Sequence, residues 1–155
     1  MTDSEQWCVQ ETLGCDQVNI GDVSPTIERA RTHSPFLRFH LESENPVSAA
    51  VCAGRLGEAL ALARAAGEGD DVMAALRRER TGHALALAVG DLAGLFSLEQ
   101  VTLELSRLAD RVIERAIAAA LAERYPDSPM RGFAAIAVGK LGSFELNYSS
   151  DVDLL

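Results

Sequence analysis

The 155-residue chain is predicted to be mostly α-helical over residues 24–128 and to enter the start of an α/β domain over residues 129–155. The composition is 48% hydrophobic but only 5% aromatic, which is typical of helices packed through Ala and Leu. Apolar residues recur at helical spacing through the middle of the chain. Near its end, two short apolar runs flank a glycine-containing loop, as strands do. Residues 1–23 lack periodicity and are predicted to be a loose lead-in.

Charge and cysteine content exclude several classes of protein. The formal net charge of −9 and the pI near 4.7 argue against a nucleic-acid partner, because affinity for phosphate backbones depends on clustered Lys and Arg. No apolar run approaches the roughly 18 residues of a membrane span, so no membrane partner is expected. Cys8, Cys15 and Cys52 show no metal-ligand spacing and are expected to be free thiols. These features predict a cytoplasmic protein.

Three short helices are predicted at the start of the helical region. At each start, a side chain that can cap a helix precedes a proline at the first helical position. The three pairs are Ser24-Pro25, Ser34-Pro35 and Asn45-Pro46. Short helices joined by tight turns are the expected result.

Two further helices are predicted from apolar residues at helical spacing. One covers residues 56–66, and the next runs from near Asp70 to Gly90 or Gly94. The charged segment 77–80 within it is expected to be a solvated face rather than a binding patch. The histidines lack a carboxylate partner at motif spacing and are expected to be surface residues or hydrogen-bonded core residues: His33, His40 and His83.

The longest helix is predicted from Leu98 to about Arg124. Ser97 and Gln100 match the pattern of a capping box at its start. The prolines of the segment 125–129 end it, because they cannot continue the hydrogen-bond ladder. One apolar stripe runs along the helix: Leu98, Val101, Leu105, Leu108, Val112, Ala116 and Ala119.

Two strands are predicted after this helix. The apolar run 133–138, bounded by Gly132 and Gly139, predicts a buried strand. A second strand is predicted over residues 151–155. Because two strands alone are marginally stable, we expect the chain to be part of a longer protein, truncated after its second strand.

Asp151 and Asp153 are the candidate catalytic residues and magnesium ligands. On an extended strand, side chains at positions i and i+2 point to the same side, so both carboxylates could reach one metal ion. Mg²⁺ is usually held by one or two carboxylates together with the phosphates of a nucleotide, which suits phosphoryl or nucleotidyl transfer. The alternative is a solvated strand end, because a lone Asp-x-Asp arises often by chance.

The loop 139–143 lies seven residues before this pair. Gly142 and Ser143 are predicted to contact phosphate, since glycine allows a close backbone approach and the hydroxyl can donate a hydrogen bond. The alternative is an ordinary strand-to-helix turn. Lys140, which is the only lysine, either neutralises a phosphate oxygen or is a solvated turn residue. Glu145 receives no catalytic role.

The order of strand, Gly-Ser, short segment and Asp-x-Asp resembles the signature of the DNA polymerase beta-like nucleotidyltransferase superfamily. Within it, residues 138–154 (VGKLGSFELNYSSDVDL) are similar to the bifunctional glutamine synthetase adenylyltransferase/adenylyl-removing enzymes. The typical form of that family has Gly and Arg where this chain has Ser143 and Phe144. The segments 76–80, 90–95 and 106–110 also resemble the helical part that precedes the motif.

The resemblance implies that residues 129–155 begin a nucleotidyltransferase domain of the adenylyl-removing kind. The sequence of residues 145–151 is similar to that of the first of the family's two catalytic domains. The implied reaction is phosphorolysis, in which phosphate attacks the AMP-tyrosine linkage on glutamine synthetase and ADP is released. The implied ligands are Mg²⁺, ATP or ADP, and inorganic phosphate. The implied partners are glutamine synthetase and a nitrogen-signalling regulatory protein.

Two alternatives stay open on the sequence. The chain could belong to another nucleotidyltransferase with a different substrate, or it could be a helical interaction segment without activity. The 155 residues alone are expected to release little or no ADP from adenylylated glutamine synthetase.

Overall fold

The computed structural model describes residues 22–126, 132 and 134–155. Within this part of the chain the fold is mostly helical, with one small antiparallel sheet near the end. The elements in chain order are α1 (Ser24–His33), α2 (Pro35–Leu41), α3 (Pro46–Cys52), α4 (Leu56–Ala66), α5 (Val72–Leu92), α6 (Leu98–Arg124), β1 (Ala137–Val138), α7 (Gly139–Gly142) and β2 (Asp153–Leu154). None of the described helices is long and apolar enough to cross a membrane.

Two of the three predicted caps at Xaa-Pro pairs are confirmed. The side chain of Ser34 accepts a hydrogen bond from Leu37 N, and that of Asn45 accepts one from Ser48 N. The predicted cap at Ser24 is wrong, because Ser24 already lies in the first turn of α1 and donates its own amide to Asp22 Oδ1. The chain therefore enters α1 one residue earlier than the serine suggests.

The end of the predicted lead-in belongs to the helical core. Val23 is only 3% exposed and packs with Ile27 and Leu37. The rest of the lead-in, including Cys8 and Cys15, lies outside the described residues. Cys52 is a free, exposed thiol, as expected. The helical core therefore includes Val23, a residue of the predicted lead-in.

Helix α5 is the central helix, since it contacts α1, α2, α3, α4 and α6. Glycine makes the closest of these approaches possible. A Cβ added at Gly82 would lie 2.6 Å from the Cβ of Ala63 in α4, and one added at Gly90 would overlap the ring of Phe96. Side chains at either position would push neighbouring elements away from α5.

A partly buried polar network joins α5 to α6. The Arg111 Nε donates to Glu79 Oε1 at 3.0 Å, and Arg111 Nη2 donates to His83 Nε2 at 3.2 Å. Because a guanidinium only donates, His83 must accept at Nε2 and carry its proton on Nδ1, which lies 3.1 Å from the Glu79 carbonyl oxygen. Burial, together with the Arg111 charge, lowers the pKa of His83. The ring is therefore neutral at neutral pH.

The expectation that residues 77–80 form a solvated face is wrong at one position. Arg77, Arg78 and Arg80 are exposed, but Glu79 is only 2% exposed. Its burial is possible because Arg111, 32 residues later, neutralises it. The expectation for His83 is confirmed, since it is a hydrogen-bonded core residue.

Helix α6 matches its predicted bounds and begins with the predicted capping box. Its burial is uneven. Val101, Leu105 and Leu108 are buried, whereas the predicted stripe is wrong at Leu98, which is 72% exposed. The second half of the helix is half-buried and lines a cavity of about 280 Å³ against the sheet, with Ile117 on one side and Leu154 on the other.

The sheet pairs β1 with β2 in an antiparallel arrangement, with Val138 opposite Asp153 and Ala137 opposite Leu154. Backbone bonds between Ile136 and Leu155 extend the pairing by one residue. The strand predicted over 133–138 is confirmed at Ala137–Val138, but its predicted burial is wrong, because Ile136 is 59% exposed and β1 itself is half-buried. One face of the sheet lines the cavity with α6, and on the other face Ile136, Asp153 and Leu155 are exposed among the described residues. Phe133 lies outside the described residues.

The second strand is shorter than predicted. It starts at Asp153 rather than Asp151. In the observed register Val152 would pair with Gly139, where the first strand has already turned into α7. The ladder ends there because the chain leaves the extended conformation.

Candidate functional site

The turn from β1 into α7 brings the glycine-containing loop beside the second aspartate. Gly139 adopts a left-handed backbone with φ +61°, and a Cβ added there would lie 3.3 Å from Asp153 Oδ2. An L-residue at this position would be strained in its backbone and crowded by the carboxylate. Gly139 was not among the predicted site residues. The signal that marks it is a glycine directly after a strand, at the first position of the loop.

Gly142 and Leu141 hold the loop against the rest of the fold. A Cβ added at Gly142 would lie 2.7 Å from the carbonyl oxygen of Ala137, so the absence of a side chain lets α7 pack directly on β1. Leu141 is 2% exposed and belongs to the core that the helices share. Close packing explains the glycine at 142 without a ligand, and its contact with phosphate stays a prediction.

Ser143 and Lys140 lie on the exposed side of the loop. The Ser143 hydroxyl is 3.3 Å from each of three acceptors: the carbonyl oxygens of Gly139 and Lys140 and the Glu145 Oε2. A hydroxyl has one hydrogen, so it can donate to only one acceptor at a time. An incoming phosphate oxygen could take that hydrogen by rotation of the hydroxyl, without backbone movement.

The helical turn α7 ends in a Schellman motif. Glu145 N donates to Lys140 O at 2.8 Å, and Phe144 N donates to Leu141 O at 3.0 Å. Phe144 occupies the left-handed position of this motif with φ +58°, where glycine is usual. This is one of the two positions at which the chain departs from the typical family form, which has arginine there. An L-residue would occupy the left-handed position in either case, so the departure changes the side chain and leaves the backbone strain in place.

Asp151 and Asp153 are both exposed. The residues that alternate with them face the helices, since Val152 and Leu154 line cavities against α6. Because Asp153 alternates with Leu154 in β2, its carboxylate lies on the opposite, solvent-facing side. An extended chain through Val152 would place the Asp151 carboxylate on that side too. Two carboxylates are the oxygen donors that Mg²⁺ prefers, and the open side leaves room for phosphate oxygens as further ligands, so the residues fit such an ion. Within the described ranges, no cluster of three His, Cys, Asp or Glu side chains could hold a metal.

The segment between the loop and the aspartates is attached to the helices at two points that the sequence did not indicate. The buried Leu146 amide donates to Ser106 Oγ at 3.2 Å, and the Tyr148 hydroxyl donates to Asp91 Oδ2 at 3.4 Å. Desolvation and the Asp91 carboxylate raise the pKa of Tyr148, which keeps its hydroxyl protonated as the donor. The available sequence signal for the first contact is a serine next to the apolar stripe of α6, and it does not indicate the partner.

A groove of about 540 Å³ lies between α5, α6 and this segment. Leu105, Leu108 and Val152 are among its lining residues, together with Tyr148. Neither Asp151 nor Asp153 lines it, because Val152 presents the opposite side of the chain. This groove is therefore distinct from the surface that carries the carboxylates.

A family model described as glutamate-ammonia ligase adenylyltransferase matches residues 18–155. Several curated relatives carry the name bifunctional glutamine synthetase adenylyltransferase/adenylyl-removing enzyme. The one from Rhodopseudomonas palustris (strain ATCC BAA-98 / CGA009) is 40% identical over 111 residues, which cover 64% of this chain and 11% of the relative. The one from Caulobacter vibrioides is 33% identical over 161 aligned positions, which cover 92% of this chain and 16% of the relative.

The relative from Chromobacterium violaceum is 42% identical over 99 residues, which cover 61% of this chain and 11% of the relative. The chain therefore spans only 11% to 16% of the length of these relatives. No solved structure matches it.

Proposed function

The chain belongs to the glutamate-ammonia ligase adenylyltransferase family, and from that premise we propose that it contributes the first catalytic residues of the adenylyl-removing activity. The substrate proposed is glutamine synthetase modified with AMP on a tyrosine, as the names of the relatives suggest. The observation that carries the proposal is the position of Asp153 beside Gly139, at the turn that joins the sheet to the loop 139–143.

The choice of the adenylyl-removing half rests on order along the chain. In the resemblance described above, residues 145–151 match the first of two catalytic copies, and a helical region precedes that copy. The six helices from Ser24 to Arg124 precede the motif here. The companion activity, transfer of AMP from ATP, is proposed to belong to a part of the protein outside these 155 residues.

The proposed reaction is phosphorolysis. An oxygen of inorganic phosphate attacks the phosphorus of the AMP group, the bond from phosphorus to the tyrosine oxygen breaks, and the products are ADP and an unmodified tyrosine. Magnesium, when bound, stabilises negative charge on the phosphate oxygens.

In this proposal, the residues of the site have three roles: metal binding, phosphate orientation and charge neutralisation. Asp151 and Asp153 hold the metal ion and are its carboxylate ligands. The amides of the loop and the Ser143 hydroxyl orient a phosphate group beside them. Lys140, exposed on the same loop, adds a positive charge near that phosphate. A cytoplasmic location and control by a nitrogen-signalling regulatory protein are part of the proposal through the family.

The first test changes Asp151→Asn together with Asp153→Asn in the protein expressed from the complete reading frame that contains residues 1–155. Release of ADP from adenylylated glutamine synthetase, measured with Mg²⁺ and phosphate, is expected to fall more than about a hundredfold, since even outer-shell partners of a metal cost roughly 10- to 100-fold. Both aspartates are exposed, so the thermal midpoint is expected to stay unchanged.

Two controls make this test specific. Asp70→Asn removes an exposed carboxylate between α4 and α5 and is expected to leave ADP release unchanged. Transfer of AMP from ATP to glutamine synthetase should also persist in the double variant. Near-normal ADP release would contradict the assignment of the metal ligands, and loss of transfer with retained removal would contradict the assignment of the half.

A further inference from the structure

We propose that Ser106, in the first half of α6, is a positioning residue for the Asp151 and Asp153 carboxylates. The inference rests on the proposed function, because positioning matters only if the two aspartates act together. Ser106 is fully buried and touches neither carboxylate. Its effect is transmitted through the backbone of Leu146 and the turn that follows it.

The orientation of the Ser106 hydroxyl is determined by its own helix. Its hydrogen is donated to the Thr102 carbonyl oxygen at 2.8 Å. The oxygen lone pairs are then free to accept the amide of Leu146 at 3.2 Å. This amide is buried, so without the acceptor it would lose its hydrogen bond inside the protein. The contact joins positions 40 residues apart and fixes the motif segment at one point of α6.

A turn with its own hydrogen bonds, residues 147–150, connects Leu146 to the aspartates. The Asn147 side chain accepts hydrogen bonds from Ser149 N at 3.1 Å and from Ser150 Oγ at 2.9 Å. In return, Ser150 Oγ accepts from Asn147 N at 3.2 Å. These bonds make residues 147–150 a compact turn whose two ends cannot move independently. Asp151 follows directly, so the position of Leu146 determines where the first carboxylate lies.

The opposite end of the aspartate segment is held by the sheet. Asp153 pairs with Val138, and Leu155 exchanges two backbone bonds with Ile136. The segment that carries Asp151 and Asp153 is thus attached to the sheet at one end and to Ser106 at the other. The Tyr148 to Asp91 hydrogen bond adds a second support, but at 3.4 Å and on the exposed side it is weaker. Ser106 provides the buried support at this end.

Two carboxylates that share one metal ion must be held in a fixed relation to each other. An error of about 1 Å in the position of one of them is enough to weaken metal binding and slow the reaction. Loss of the Ser106 hydroxyl should therefore raise the Mg²⁺ requirement and lower kcat. The KM for adenylylated glutamine synthetase should not change, because Ser106 is buried and cannot contact a protein substrate.

The test uses Ser106→Ala in the protein from the complete reading frame. Hydrogen exchange measured by mass spectrometry on peptides covering residues 144–150 is expected to be about tenfold faster. The Mg²⁺ concentration for half-maximal ADP release is expected to rise, and kcat to fall, by roughly tenfold. Thr102→Ala is the matched control, because among the described residues Thr102 Oγ1 bonds to the Glu99 carbonyl oxygen one turn earlier on the same helix and to no residue of the motif segment. Ser106→Cys keeps the side-chain size with a weaker acceptor and replaces the alanine variant if that variant fails to fold.

Each outcome decides the inference. Faster exchange with a raised Mg²⁺ requirement and an unchanged KM supports it. Faster exchange with unchanged kcat and Mg²⁺ requirement makes Ser106 a structural residue and overturns it, as does unchanged exchange. A parent protein that releases no ADP overturns the proposed function and this inference with it. An active parent with a neutral Ser106 variant overturns the inference alone.

Discussion

The helical body (α1 to α6) and the motif segment (residues 134–155) are stabilised in different ways. The body buries a continuous aliphatic core around α5, and it pairs the buried Glu79 carboxylate with Arg111, whose side chain is 27% exposed. The motif segment buries Leu141 and Leu146 in that same core but leaves most of its other side chains exposed. The body supplies most of the buried area, and the motif segment supplies the candidate chemistry. Substitutions in the two regions should therefore have different consequences.

The largest expected effect is on the buried ion pair of the body. Arg111→Met leaves the Glu79 carboxylate buried without a partner and is expected to lower the free energy of unfolding by about 3–5 kcal/mol. Urea unfolding followed by circular dichroism measures it. Arg55→Met is the matched control, because its pair with Glu58 is about half exposed on both sides and should contribute within about 1 kcal/mol.

A compensating change separates charge from packing in the same experiment. Glu79→Leu combined with Arg111→Met replaces the pair with apolar side chains and should recover most of the loss. If Arg111→Met lowers the free energy of unfolding no more than Arg55→Met does, the pair between Glu79 and Arg111 stabilises the body no more than a surface pair.

The next effect tests how firmly the motif segment is joined to the body. Leu141→Ala removes a side chain that is 2% exposed and is expected to cost about 2–5 kcal/mol in a single unfolding transition. Leu154→Ala, on the sheet and 43% exposed, is the control and should cost about 1 kcal/mol. Equal small effects of both substitutions, or a separate early transition for the motif segment, would show that it is not part of the common core.

The smallest effect concerns backbone strain at the end of α7. Phe144→Gly relieves the left-handed conformation, whereas Phe144→Ala removes the same ring and keeps the strain. The glycine variant is expected to be more stable than the alanine variant by about 1 kcal/mol. Gly94, with φ +68° and no atom within 4 Å of an added Cβ, occupies the same position at the end of α5. Gly94→Ala should therefore lose a similar amount, and no difference in either comparison would contradict the strain at Phe144.

The sequence alone correctly predicted the features that are determined by residues close together in the chain. A serine or asparagine before a proline located α2 and α3, and the Ser97 and Gln100 pair located the start of α6, because a cap acts within one turn of the helix. The motif of residues 138–154 was sufficient to identify the family, since its residue types stand at fixed spacing. The bounds of α4 and α6 follow from the same short-range patterns.

Only the tertiary structure decided which polar groups are buried. Glu79 stands among exposed arginines and is buried because Arg111 meets it from another helix. The predicted strand 133–138 is exposed at Ile136 because a single helix covers one face of the sheet. Ser106 accepts the amide of a residue 40 positions away. Such partners depend on how elements pack in three dimensions. The spacing of residues indicates which face of a helix is apolar, but it does not indicate which distant residue that face will meet.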